Sequence, residues 1–217
     1  MSEISELLIP ALWETIYMVF FSSVFSVLMG FPIGIALVVS DKGGILENSK
    51  VYRILDTLVN VCRSFPFIIL MILIFPLSRI IVGTTIGTTA SIVPLSIAAA
   101  PFVGRIIENA LKDVDKGVIE AVEAMGASPG EIIFKAMIPE AMPSLVMGIT
   151  LTIINLIGYS AMAGAIGGGG LGDLAIRYGF YRFQTKLMVI SVIVIIVLVQ
   201  GIQFIGNNIA KRLLENR

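Results

Sequence analysis

Residues that could do covalent chemistry are scarce in this chain. Its 217 residues include no histidine and one cysteine, Cys62, which leaves no internal disulfide and few of the ligands that transition metals prefer. No GxxxxGK[ST] pattern occurs, and the glycine run at 167–170 is followed by Leu171 and Gly172, so the chain lacks a phosphate-binding loop for ATP. Without histidine, and with isolated serines, the sequence predicts neither a catalytic centre nor a metal site.

Carboxylates are gathered in one polar stretch, EAVEAMGASPGEIIFKAMIPEAMP, at residues 120–143. Around its start, apolar residues recur at i, i+3, i+4 and i+7, which predicts one face of a helix. That face is formed by Val118, Ala121, Val122 and Met125. Glu120 and Glu123 lie toward the other side. Gly126 is expected to end the helix, because glycine readily takes the left-handed conformation found after helix C-termini.

A second short helix is expected to follow this glycine. Ser128 has the position of an N-cap, Pro129 that of the first helical residue, and Glu131 that of the partner in a capping box. Pro139 is predicted to close the second helix, because proline has no N–H to donate. The stretch would therefore form two short helices joined at a glycine.

Such a pair of helices could lie on a bilayer or dock into another protein. Helices in the membrane interface carry Lys or Arg on the polar face and large apolar residues beneath, whereas this stretch carries carboxylates and mostly small residues. Alanine and glycine let a partner backbone approach closely in a groove. We therefore favour docking to a protein.

The elements that position this stretch are membrane helices. The chain is 57% hydrophobic and 14% charged, with a mean hydropathy of +0.97, which indicates an integral membrane protein. Apolar runs of about 20 residues can cross the bilayer. We predict an all-α membrane protein with one domain, 1–217, and a cytoplasmic two-helix segment, 117–140, between spans three and four. The five spans are predicted at roughly 15–40, 56–77, 84–108, 141–165 and 187–210.

The distribution of positive charge predicts the orientation of the chain. With the amino terminus outside and the carboxy terminus in the cytoplasm, cytoplasmic segments hold most of the Lys and Arg residues, as the positive-inside rule requires. The predicted cytoplasmic set is Lys42, Lys50, Arg53, Arg105, Lys112, Lys116, Lys135, Lys211, Arg212 and Arg217. The external set is Arg79, Arg177, Arg182 and Lys186.

One ionisable residue, Arg63, falls inside a predicted span. Such a residue is by default a functional hypothesis, yet it lies close enough to the cytoplasmic end for its side chain to reach the interface. Asp56, two turns earlier, could also pair with it. We favour an anchoring or structural role, and a role in a conduction path stays open.

Other local patterns predict structure rather than function. Gly30 and Gly34 in span one favour close helix packing, and the glycine run at 167–170 is expected to be a flexible external turn. The pairs Arg105–Glu108 and Asp173–Arg177 have helical spacing. We expect the first to add a few tenths of a kcal/mol at most and the second to lie on the surface.

The docking stretch resembles a motif of the importer-type permeases of ATP-binding-cassette (ABC) transporters: Glu-Ala-Ala, three residues, Gly, nine residues, Ile-x-Leu-Pro. Glu120, Ala121, Gly126 and Pro139 match it. The departures are Val122, Ala136 and Ile138, which replace Ala, Ile and Leu. In that family the motif is a coupling helix seated in a cleft of a separate ATPase. The resemblance thus implies an ATPase-coupling role for Glu120, Ala121, Glu123, Ala124, Gly126, Ala127 and Pro139.

The resemblance extends along most of the chain to the methionine-uptake members of that family. CRSFPFIILMILIFPLSRIIVGTTIG, APFVGRIIENAL, PEAMPSL and GYSAMAGAIGGGGLGDLAIRYGF carry it. It implies a second copy of the chain, two ABC ATPase subunits that bind ATP and Mg, and a substrate-binding lipoprotein or periplasmic protein. It also implies methionine as substrate and the bacterial inner membrane as location, with lipid around the spans and no nucleic acid. No cofactor is expected in this chain.

Span four would line the translocation path. Asn155, Tyr159 and Met162 lie at i, i+4 and i+7, on one face of the helix, and Ser160 belongs to the same stretch. The resemblance places an external gate at Met162. The other interpretation of this methionine is ordinary packing between helices.

Two other transport functions were weighed against methionine import. A permease of the same superfamily for another amino acid or a small osmolyte stays open, because the docking stretch does not distinguish substrates. An ion-coupled secondary transporter would show inverted repeats and interrupted helices at matching positions, and the sequence has neither these nor an Asp or Glu deep in a span.

Overall fold

The computed structural model describes the backbone of residues 2–215 and the side chains of residues 4–215. The predicted cytoplasmic charge Arg217 lies outside this range. The described chain is helical, with no strand between residues 2 and 215, so the predicted all-α membrane class is confirmed. Four helices are long and apolar enough to cross a membrane, and a bent helix pair raises the number to five.

The helices follow one another with short connections. They are α1 (Ser2–Ser40), α2 (Ser49–Ser64), α3 (Phe67–Val82), α4 (Thr88–Lys112), α5 (Lys116–Ala124), α6 (Pro129–Glu131), α7 (Ile138–Ala165), α8 (Gly170–Asp173) and α9 (Thr185–Glu215). Two π-helical stretches, Ile132–Met137 and Leu174–Phe180, continue α6 into α7 and α8 toward α9.

The second predicted span is not one straight helix. It consists of α2 and α3, whose axes meet at 103°. The break lies at Pro66, because proline disfavours helical geometry in the residue before it, and Phe65 is accordingly extended at φ −70° and ψ 131°. Asn48 starts α2, since its side chain accepts hydrogen bonds from the N–H groups of Lys50 and Val51.

Close packing of α1 on α4 confirms the prediction for the first glycine pair. A Cβ atom on Gly30 would lie 2.6 Å from Cβ of Val103, and one on Gly34 would lie 2.6 Å from Cβ of Ile107. Small residues thus let the two backbones approach, as in other membrane helix pairs. This contact packs α4 against the carboxy-terminal half of α1.

A buried apolar cluster joins the carboxy-terminal end of α4 to the amino-terminal end of α7. It includes Ile107 and Leu111 of α4, Ile132 and Met137 of the first π-helical stretch, and Leu145 of α7. Burial of such side chains is the main favourable term in packing helices outside the lipid. The cluster forms the floor on which α5 lies.

The prediction that Pro139 closes a second short helix is wrong. The chain is helical without interruption from Pro129 to Ala165, and Pro139 is in the first turn of α7. A proline inside an α-helix clashes with the carbonyl four residues earlier. The wider π-turn precedes it here, with the Ile138 N–H donating to the Ile133 carbonyl five residues back. The second helix of the predicted coupling segment, residues 117–140, is therefore the amino-terminal extension of α7.

Candidate functional site

The face of α5 that rests on the buried cluster is rotated from the predicted one and shares only Val122 with it. Ile119 and Val122 pack against the cluster, whereas Val118 and Met125 are 38% and 77% exposed. Ile119 is the bulkiest aliphatic side chain of α5, and its burial accounts for this rotation. Ile119 was not predicted to face the cluster, although its spacing from Val122 is also helical.

The outward face of α5 combines carboxylates with small side chains. Glu120, Ala121, Glu123 and Ala124 are all exposed. Neither glutamate forms an ion pair with another residue in the described part of the chain. An unpaired carboxylate on an exposed helix face can bind a cationic group of a partner protein. The small alanine side chains beside it leave room for the partner's backbone.

The turn after α5 has the predicted geometry. Gly126 has φ +82°, the left-handed conformation that favours glycine, and its N–H donates to the Glu123 carbonyl at 2.8 Å. Ala127 is half-buried against the cluster. Ser128 and Glu131 form the predicted capping box, so the turn holds α5 at a fixed position relative to the long α7 rod.

The span-four residues do not all share one environment. Asn155 and Tyr159 are half-buried, and Met162 is 45% exposed. Ser160 faces the opposite side of α7: it is buried, and its hydroxyl donates to the Ile157 carbonyl at 2.8 Å. The structure therefore groups three of the four predicted path residues and separates Ser160 from them.

The exposed face of α7 continues beyond the predicted residues. Met147 and Leu151 are 52% and 48% exposed, and they lie on the same side of α7 as Met162. They were not predicted from the sequence, although the spacing of three or four residues that places Tyr159 and Met162 on one face also extends to them. A largely apolar face of this length suits contact with another helix or a narrow path between two helices.

An aromatic stack ties this face to the bent span. The ring of Tyr159 lies on that of Phe67, the first residue of α3, with centroids 4.3 Å apart and planes 9° apart. Stacked aromatic pairs contribute about 0.5–1.5 kcal/mol beyond their buried area. A change in the bend between α2 and α3 would therefore be felt at Tyr159, one turn before Met162.

The glycine run at 167–170 forms the predicted turn, and hydrogen bonds from α1 hold its end. The Gly170 N–H donates to the Glu14 carboxylate at 2.7 Å, and the Leu171 N–H donates to the Thr15 hydroxyl at 2.8 Å. Gly168 and Gly170 are buried. These bonds tie the start of α8 to α1, and no local pattern could predict them because they join residues 156 positions apart.

Asp173 and Arg177 form the predicted ion pair beside this turn. Arg177 is 60% exposed, whereas the Asp173 side chain is 16% exposed. Burial raises the pKa of the Asp173 carboxyl despite the neighbouring Arg177 guanidinium. The expected surface location therefore holds for Arg177 and not for Asp173.

Comparisons with known proteins agree with this arrangement. Residues 30–215 match the family model described as binding-protein-dependent transport system inner membrane component. A probable D-methionine transport system permease protein, MetI, of Vibrio cholerae is 50% identical over 96% of this chain and 92% of its own length. The Escherichia coli D-methionine transport system permease protein MetI is 49% identical over 73% of each chain.

A solved structure extends the likeness to three dimensions. A chain of the MetNI methionine ABC transporter in an inward-facing conformation superposes with a TM-score of 0.96 at 44% identity. The match covers 98% of this chain and 99% of that one. The arrangement of α5 beneath α4 and α7 is thus part of a fold shared along the whole chain.

Proposed function

Since the chain belongs to the family of binding-protein-dependent transport system inner membrane components, we propose that it is the permease subunit of an ATP-driven methionine importer. The observation that carries this proposal is the likeness to the MetNI methionine ABC transporter over 98% of the chain at 44% identity. Relatives at about 50% identity bear the name of D-methionine permeases. Family membership also argues against the ion-coupled alternative.

The subunit works as a pair with two ABC ATPase subunits in the bacterial inner membrane. The ATPases bind ATP and Mg, and this chain has no ATPase site of its own. The exposed carboxylates and alanines of α5 support its seating in an ATPase cleft. The amino terminus is outside and the carboxy terminus in the cytoplasm, so a substrate-binding lipoprotein or periplasmic protein delivers methionine to the external turn.

Transport proceeds by alternating access between two conformations. Closure of the ATPase dimer displaces α5, and Ile119 and Val122 carry that displacement into the cluster between α4 and α7. Because packed cores switch between discrete arrangements rather than deform smoothly, α7 moves with its exposed face. The path between the two copies then opens to the outside, and ATP hydrolysis resets it.

The test is methionine uptake into proteoliposomes that contain this chain, its ATPase and its binding protein. Uptake with enclosed ATP, and none with a non-hydrolysable analogue, is the expected result. Competition by other amino acids and by a small osmolyte in excess measures the substrate choice. Hydrolysis-dependent uptake of another compound, without methionine uptake, would overturn the methionine assignment and leave the ABC permease.

Met162 is predicted to close the path on the external side. Shortening it in Met162→Ala removes a flexible thioether from an apolar constriction, so methionine should leak severalfold faster from loaded proteoliposomes without ATP. Met162→Leu keeps the volume and should retain the seal. An unchanged leak in Met162→Ala, with the transporter assembled, would show that this methionine only packs.

A further inference from the structure

A line of alternating charges crosses the cytoplasmic end of the molecule. At its centre is Glu108 of α4, whose side chain is 1% exposed. Its carboxylate accepts hydrogen bonds from Arg105 Nη1 at 2.6 Å, from Lys112 Nζ at 2.8 Å and from the Tyr52 hydroxyl at 3.3 Å. A buried carboxylate is costly unless it is paired in this way. The pair Arg105–Glu108, which was expected to contribute little, is therefore part of a buried network.

Each cation of this network reaches a different part of the chain. Arg105 Nη2 lies 2.5 Å from the Asp56 carboxylate and 3.0 Å from the Asn60 amide oxygen, both on α2. Lys112 Nζ lies 2.5 Å from the carboxylate of Asp41, which follows α1. Burial alone would raise the pKa of Asp41, but the hydrogen bond from Lys112 lowers it below its usual range. The network therefore has an α2 arm and an α1 arm.

The α2 arm replaces the apolar packing that α2 lacks. Val59 is the only buried residue in α2, and Ile54 and Leu58 are 68% and 59% exposed. Arg63 does not pair with Asp56, which pairs with Arg105; it adds a weaker contact to α4, because its guanidinium lies 5.9 Å from the centre of the Phe102 ring. Polar contacts to Arg105 and Glu108 therefore fix the position of α2 relative to α4.

The network lies between the two working parts of the subunit. On one side Lys112 ends α4, and α5 begins four residues later at Lys116. On the other side α2 leads through the bend at Pro66 to Phe67, which stacks on Tyr159. The network and the short chain segments next to it thus join the coupling helix to the predicted path face.

We propose that the ion pair Asp56–Arg105, held by the buried Glu108, is the joint through which displacement of α5 reaches the bent span and the path face. The inference rests on the proposed function and assigns Asp56 as a positioning residue for coupling. Asp41 pairs with Lys112 at the end of α1 and not with Arg105, so we expect it to contribute little to this transmission.

The first test compares two isosteric changes in the complete transporter. Asp56→Asn should leave ATP hydrolysis near the wild-type rate but lower methionine taken up per ATP by at least about fivefold, a typical size for coupling between sites. Asp41→Asn removes one carboxylate from the other arm and should keep the wild-type ratio. Asp56→Glu should restore most of it. Equal ratios in Asp56→Asn and wild type would overturn the inference.

The second test does not depend on the substrate. Cys62, the single cysteine of the chain, lies on α2 and is half-buried, so a spin label there reports the position of α2 in both copies once partner cysteines are removed. ATP with vanadate should change the distance between the two labels in wild type and in Asp41→Asn. The same change in Asp56→Asn would contradict the proposal, whether or not methionine is the transported compound.

Discussion

Replacing both Glu120 and Glu123 by lysine is expected to lower ATP-driven uptake by about a hundredfold, since like charges facing one another at an interface cost several kcal/mol. Both carboxylates are exposed on α5, where no neighbour in the described chain competes for them. The folded chain should be unchanged, because neither residue contributes to the buried cluster. The measurement is uptake together with co-purification of the ATPase subunits.

A matched control changes the same charge elsewhere on the predicted cytoplasmic side. Glu47→Lys combined with Glu215→Lys alters two exposed glutamates outside α5. It removes only surface contacts, with the Gly43 N–H and with Lys211, and it should keep both ATPase binding and transport. If the α5 variant still bound the ATPase and transported as wild type, the outward face of α5 would not be the docking surface. If the control failed equally, net charge rather than contact would be responsible.

Gly164→Ala is expected to destabilise the folded chain by about 3 kcal/mol or more, the upper range for forcing an atom into a packed site. A Cβ atom there would meet the backbone of α8, including the Gly172 carbonyl carbon at 2.7 Å. Neither backbone can yield without separating α7 from α8. The thermal midpoint in detergent should fall by at least about 6 °C, given a shift of about 2–4 °C per kcal/mol for a chain of this size.

Gly201→Ala is the control for that substitution. Nothing lies within 4 Å of a Cβ atom at this position of α9, and alanine in a helix interior is favoured over glycine by about 0.5–1 kcal/mol. Its midpoint should therefore stay or rise slightly. Equal midpoints for Gly164→Ala and wild type would show that α7 and α8 are not in such close contact.

The sequence was informative where structure depends on neighbours along the chain. The capping box of Ser128 and Glu131 and the left-handed Gly126 are local, so their residue types were enough to predict them. The bend in span two also had a local signal in Pro66, although the apolar run around it predicts one straight helix. A proline in such a run indicates a possible bend, because it disfavours helical geometry in the residue before it.

Contacts between distant residues could not be predicted in the same way. The pair Arg105–Glu108 was visible as i, i+3, but its burial depends on Asp56, 49 positions away from Arg105. The order of the glycine turn depends on Glu14 in α1. The rotation of α5 about its axis depends on which of its side chains pack against the buried cluster. The periodicity of α5 alone is compatible with more than one buried face.

The unbroken helix from Pro129 to Ala165 is much longer than the bilayer is thick. Its 37 residues, at about 1.5 Å each, span about 55 Å, nearly twice the hydrocarbon thickness of about 30 Å. A tilt of about 10° about the midpoint of a rod this long would swing each end by roughly 5 Å. In the proposed transport cycle, a small rocking of this helix would therefore shift Met162 by about the width of a side chain, without any bending between the two ends.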